Sequence, residues 1–169
     1  FYSYVERFGY FEKSGIDLPG EGTTIFHNKE NIGTTELATA SFGQRFKVSV
    51  INQLVAISAI ANDGKLVRPF IVDKVIDSTG KVISQHQTEV RGQVVSAEVA
   101  DTVSKILIDG VNGDGGAKNA YVKGYKVAAK TGTTQKGTGE NEKRISSTVA
   151  YAPADDPQIA VLIMVDEPT

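Results

Sequence analysis

Apolar residues at Phe1, Tyr4, Val5 and Phe8 recur at i, i+3, i+4 and i+7, the spacing of one helix face, and Gly9 ends the run. No capping residue precedes it, so the pattern reads as a helix cut from a longer chain. Residues 11–47 lose the period. They are rich in Gly, Thr, Asn and Pro, as in Asp17-Leu18-Pro19-Gly20-Glu21-Gly22, and predict a long irregular connection. Residues 48–62 are apolar on nearly every side, with Val50, Ile51, Leu54, Val55, Ile57 and Ile60 among Ala and Ser. A helix apolar all round is normally a buried one. Ser49 is placed to cap it, and Asn62-Asp63-Gly64 to end it at a residue able to take positive φ.

From residue 65 the period changes. Residues 66–76 and 82–95 are β-branched stretches around Asp77-Ser78-Thr79-Gly80, which predicts a hairpin turn. Ser96 then caps an amphipathic helix with Val99, Val103, Ile106 and Leu107 on one face and Gly110 closing it, and residues 110–116 read as loop. The last third predicts a three-strand meander over residues 125–133, 146–152 and 158–165. A polar loop over 135–144 joins the first two, and Pro153-Ala154-Asp155-Asp156-Pro157 the last two. Residues 159–165 are almost continuously apolar, the expectation for a central strand covered on both faces. Helices flanking an antiparallel sheet give an α+β fold, an α/β sandwich.

Composition narrows the function classes. The 169 residues suit one domain, and 40% hydrophobic with 22% charged residues excludes wholesale disorder. A net charge of -2, without a block of like charges, gives no field drawing the chain onto nucleic acid or an anionic membrane. The absence of Cys excludes disulfides, thiolate zinc sites and cysteine nucleophiles. No apolar run reaches the ~18 residues needed to span a bilayer, and Phe1-Tyr2-Ser3-Tyr4 has no signal-peptide character. His27 and His86 are far apart in polar surroundings, so no metal is expected. Asp155-Asp156, between prolines, reads as a solvated turn, and Gly113-Asp114-Gly115-Gly116 lacks the Lys-Ser/Thr of a phosphate loop.

The chemistry lies in Lys130-Thr131-Gly132-Thr133. On a strand, the two Thr hydroxyls at i and i+2 share a face and can both reach a carboxylate. Gly132 lets a ligand lie close against the backbone. The Lys130 ammonium can hold a serine proton or attract a carboxylate. The Thr133 N–H can stabilise a developing oxyanion. Taken alone, the tetrapeptide reads better as an edge strand with a solvated Lys and two β-friendly threonines.

Its context decides. Gly124-Tyr125-Lys126-Val127-Ala128-Ala129-Lys130-Thr131-Gly132-Thr133-Thr134-Gln135 closely resembles the K-T-G strand of penicillin-binding proteins, the serine D,D-transpeptidases whose motif set is S-x-x-K, S-D-N and K-T-G. Phe8-Gly9-Tyr10, with the segment from Gly15 to Glu21, resembles the stretch after the second motif in class B members. The helix ending Ala61-Asn62-Asp63-Gly64, the adjoining Lys65-Leu66-Val67-Arg68-Pro69 and the ending Val165-Asp166-Glu167-Pro168 continue the likeness in order. Ala129 stands where the family usually has Gly, and Thr134 where it often has Ala; both suit a strand.

The resemblance implies a transpeptidase / serine β-lactamase-like fold and a peptidoglycan stem peptide ending in D-Ala-D-Ala as substrate, with β-lactams as its mimics. It implies catalytic roles for Lys130 and Thr133 and substrate binding by Thr131, Gly132, Thr133 and Thr134, without a cofactor or nucleic acid. It also implies that residues 1–169 are the C-terminal part of the domain, the nucleophile lying before Phe1 and a final helix after Thr169. The partners implied are that N-terminal remainder and the cell-wall synthesis machinery, at the outer face of a bacterial membrane. The only Ser-x-x-Lys here, Ser78-Thr79-Gly80-Lys81, falls in a predicted turn and no Ser-x-Asn comes after it, so the chain alone is expected not to acylate. Two rivals stay open: a non-catalytic sensor of cell-wall peptide or β-lactam with the same fold, and a serine β-lactamase. The segment from Gly15 to Glu21 and the ending Asp166-Glu167-Pro168 speak against the latter.

Overall fold

The computed structural model describes residues 1–137 and 143–168. Helix α1 (Tyr2–Arg7) stops before Gly9, which takes φ +76°. Helix α3 (Val50–Ala61) opens on Ser49, whose hydroxyl accepts from the Asn52 N–H at 3.1 Å, and ends through Asp63 and Gly64 at φ 52° and 79°. The Gly64 position is closed to a side chain, because a Cβ would lie 2.1 Å from the Val95 carbonyl. Helix α4 (Ala97–Asn112) is capped by Ser96, whose hydroxyl accepts from Val99 N–H at 3.2 Å.

The meander is present as β5 (Ala128–Lys136), β6 (Lys143–Ala152) and β7 (Ile159–Asp166), antiparallel in the order β5-β6-β7. The main core gathers Val55, Ala59 and Ile60 of α3, Ala100 of α4, Leu66, Val94 and Val95, and Ala128 and Tyr151 of the sheet. Within it the Tyr151 hydroxyl donates to Ser104 Oγ at 2.6 Å, and burial pushes its pKa up. Tyr10, held at about 12 by burial, donates to Gln53 Oε1 at 2.9 Å and tethers the first segment to α3.

Several expectations are corrected. The irregular connection contains a further helix, α2 (Thr34–Ser41), which starts at Gly33 and buries only Ala40, so it carries no apolar stripe to read. The two strands expected around Asp77-Gly80 are four. β2 (Lys74–Ile76) pairs with β3 (Val82–Gln85) about that turn, while β1 (Lys65–Val67) pairs with β4 (Val90–Gln93), because Pro69 interrupts the first stretch. Helix α4 runs through Gly110 to Asn112. Its inward face is Ala100, Ser104 and Val111, with the expected Val103 and Leu107 packed against the core, whereas Val99 and Ile106 face solvent. Lys136 and Lys143, expected in a polar loop, are paired strand residues; positions 138–142 of that loop lie outside the described residues.

Among the described residues β6 pairs on both sides and β7, the expected central strand, on one, with Ile159 and Ile163 63% and 60% exposed. A continuous apolar run reports what a strand could bury, not which neighbour covers it.

Candidate active site

Strand β5 is rooted in core on both faces and then leaves it. Ala128, 0% exposed, packs with Tyr151 and α3, while Ala129, one residue on, packs with Val111, Ala117 and Val127. Two small side chains let α4 come close behind the strand. Beyond them, Lys130 to Thr133 extend along an outer strand whose only paired neighbour among the described residues is β6.

Alternation puts the side chains of Thr131 and Thr133 on one face and those of Lys130 and Thr134 on the other. The Lys130 ammonium curls back to donate to the Thr131 carbonyl at 2.5 Å. Gln44, from the segment after α2, donates its amide to the Thr133 carbonyl at 3.2 Å. These carbonyls, two residues apart, lie along the same edge of the strand. Thr131 is half-buried, with its hydroxyl against Gly116, where a Cβ would sit 3.3 Å away. Gly115 in turn lies on the backbone of Gly110, its hypothetical Cβ 2.4 Å from that carbonyl. The glycine run after α4 is thus a packing seam reaching the Thr131 hydroxyl. Gly132 faces Ser147, whose hydroxyl donates to its carbonyl at 3.4 Å and would lie 2.9 Å from an added Cβ.

Thr133 pairs directly with Ser146, and both line a cleft of about 520 Å³ with Lys143, Arg144, Glu167 and Pro168. An ion network borders it. Lys136 donates to Asp166 Oδ2 at 2.9 Å and Oδ1 at 3.1 Å and to Glu167 Oε1 at 3.0 Å; Lys143 donates to Glu167 Oε2. The Asp166 carboxylate, then Glu167, raise the Lys136 pKa, and Lys143, then Lys136, hold Glu167 below the usual carboxylate range. The site therefore offers three hydroxyls (Thr131, Thr133, Ser146), strand-edge backbone groups and ammonium groups, a set suited to binding a carboxylate and an adjoining peptide.

The structure keeps Lys130, Thr131, Gly132, Thr133 and Thr134 on one strand, with Thr131 and Thr133 on one face and both Lys130 and Thr134 on the other. Gln44, Ser146 and Ser147 escape the sequence reading and carry no local signal, whereas the glycine run that ends at Gly116 is visible in the sequence. Elsewhere, Ser78 lies in a turn whose Asp77 carboxylate accepts from Thr79 N, Thr79 Oγ1 and Lys81 N, not at the start of a helix. Asp155 pairs with Lys126 at 2.9 Å in the solvated turn after the cis Ala152–Pro153 bond. His86 stacks on Phe70 with ring centroids 3.5 Å apart, His27 sits edge-on to Phe26, and no three His, Asp or Glu among the described residues form a metal-holding group.

The family model described as the penicillin binding protein transpeptidase domain matches residues 1–169. The chain is 39% identical to stage V sporulation protein D of Bacillus subtilis, covering 99% of this chain and 26% of that protein. It is 34% identical to a probable peptidoglycan D,D-transpeptidase, PbpC, of Pseudomonas aeruginosa, covering 96% and 27%. The crystal structure of penicillin binding protein 3 from Mycobacterium tuberculosis complexed with aztreonam superposes with a TM-score of 0.91 at 28% identity, over 99% of this chain and 40% of that one. The chain thus spans about a quarter of the length of these curated relatives.

Proposed function

The chain belongs to the penicillin-binding protein transpeptidase family, and on that premise we propose that it forms the substrate strand of a peptidoglycan D,D-transpeptidase whose nucleophilic serine lies elsewhere in the same protein. The substrate is a stem peptide ending in D-Ala-D-Ala. The serine hydroxyl attacks the penultimate carbonyl, the bond to the terminal D-Ala breaks, and an acyl-serine forms. An amine from a second stem then attacks that ester, making the cross-link and releasing the serine. A β-lactam completes only the first half and remains as the acyl-enzyme.

The observation that carries this reading is β5 itself: a strand buried at its root whose next four residues present an ammonium, two same-face hydroxyls and a glycine along an outer edge. Thr131 and Thr133 take the terminal carboxylate, Gly132 lets the peptide lie close, and Thr134, its side chain on the other face, completes the substrate-binding set through its backbone. The Thr133 N–H supplies one oxyanion donor, a role where a single donor contributes about 10²–10³ in rate. Lys130 organises the proton network around the serine. No cofactor enters the reaction. The setting is the outer face of a bacterial membrane, with the remainder of the same protein and the cell-wall synthesis machinery as partners. No helix among the described residues is long and apolar enough to cross a membrane.

The test is intact mass spectrometry of the full-length protein after incubation with a β-lactam. The expected result is a gain of one intact drug on a serine outside residues 1–169, slowed about 100-fold or more in Lys130→Ala. A folded full-length protein that takes no adduct would favour a peptide-binding sensor, and a hydrolysed drug without a lasting adduct a β-lactamase.

A further inference from the structure

Lys136 and Lys143 stand directly opposite each other where β5 and β6 meet at their hairpin. Like charges in that position repel and weaken the pair. One carboxylate resolves the conflict: Glu167 accepts from Lys136 through Oε1 and from Lys143 through Oε2, while Asp166 takes Lys136 again. Glu167 is turned to this task by a backbone at φ 55°, uncommon for a residue other than glycine, and its N–H donates to the Arg144 carbonyl at 2.9 Å. The end of β7 is thereby fastened across both strands of the hairpin.

Its place makes the clamp more than a surface ornament. Thr133 lies three residues along β5 from Lys136, Ser146 three along β6 from Lys143, and both share a cleft with Glu167. Exposed ion pairs add little to folding, and the lysine and glutamate side chains here are 37–56% exposed. Their effect is therefore local, on the spacing and direction of the two strand ends that wall the cleft.

We propose that Glu167 is a positioning residue for the ligand that binds at Thr133, holding the β5–β6 hairpin against the repulsion of Lys136 and Lys143. This rests on the transpeptidase reading. It touches neither substrate nor reacting atoms in this role, so its loss weakens initial ligand capture more than the chemical step.

The experiment measures β-lactam acylation of the full-length protein, resolving capture from acylation, for wild type, Glu167→Gln, Glu167→Asp and Glu167→Gln combined with Lys143→Met. The expected result for Glu167→Gln is an apparent second-order rate constant lower by about fivefold, the scale of exposed charge contacts, located in capture. Glu167→Asp recovers part of the loss, and adding Lys143→Met recovers most of it by removing the repulsion. Rising salt brings wild type towards Glu167→Gln and leaves that variant nearly unchanged. An unchanged rate in Glu167→Gln, or a loss that tracks a lower Tm and is not recovered by Lys143→Met, overturns the positioning role alone. A wild-type protein that is never acylated overturns it together with the transpeptidase reading.

Discussion

The sheet β5–β7 and the irregular segment over residues 11–47 are held in opposite ways. In the sheet, main-chain groups pair with main-chain groups in unbroken register, so the backbone does most of the holding and side chains are released for chemistry. In the segment one bridge, Ile25 to Lys47, is the only strand-like pairing among the described residues. Outside α2 and a few backbone turns such as Asn31 N–H to the Asn28 carbonyl, much of the holding is side chain to backbone: Asp17 accepts from Ile71 and Val72, Glu21 from Ser14, Asn52 donates to the Glu12 carbonyl and Arg68 to that of Gly15. Where the backbone cannot satisfy itself, particular side chains must, and each becomes hard to replace. The two regions meet where Gln44 donates to the Thr133 carbonyl, and there the segment touches the site.

The contrast can be broken most severely in the sheet's core. Tyr151 is 2% exposed and sits in the cluster that roots β5. Tyr151→Ala removes a buried aromatic, and chemical denaturation of the full-length protein should show a loss of about 4 kcal/mol. A loss as small as that of a surface substitution would mean the sheet does not depend on this core.

The segment should fail locally instead. Asp17→Asn keeps the shape but weakens the acceptor for two N–H groups, so the amides of Ile71 and Val72 should exchange about tenfold faster while those of β5 and β6 stay protected. The Val72 N–H, then that of Ile71, hold the Asp17 carboxyl below its ordinary pKa. Because its folded pKa is depressed, the contribution is present above the ordinary carboxylate range, about 4, and is lost as pH falls through the lower folded value. Acid should therefore loosen these two amides in wild type and leave Asp17→Asn unchanged. Exchange that spreads at once into β5 would erase the distinction between the regions.

The smallest effect belongs to the junction. Gln44→Ala removes one exposed hydrogen bond, and β-lactam acylation should change by about two- to fivefold with Tm unmoved. A change as large as that from Lys130→Ala would place the segment inside the active site proper.

Legibility in the sequence divides along the same line between local and distant rules. The Ser49 and Ser96 caps, the Asp77–Gly80 turn and the three-strand meander announce themselves because each is a local rule, a cap, a turn or a period of two. Helix α2 does not, since four of its eight residues are Thr or Ser and only Ala40 is buried. The pairing of β1 with β4 is hidden for another reason: it joins residues either side of the β2–β3 hairpin, and nothing local encodes it. In the site, Lys130 to Thr133 stand out as a run, whereas Ser146, Ser147 and Gln44 are common residues made relevant by register and chain path alone. The apolar run of β7 tells only what a strand can bury; among the described residues it pairs with β6 alone.

That last strand has a practical side. Among the described residues one edge of β7 is unpaired, and one face of the strand carries Ile159, Val161, Ile163 and Val165 as an exposed stripe, with no charge until Asp166. Such an edge is a template on which another chain can add itself as the next strand. Prepared apart from the protein it belongs to, this polypeptide is accordingly a candidate for self-association and precipitation, and the remedy is a cover for β7 rather than a more stable core.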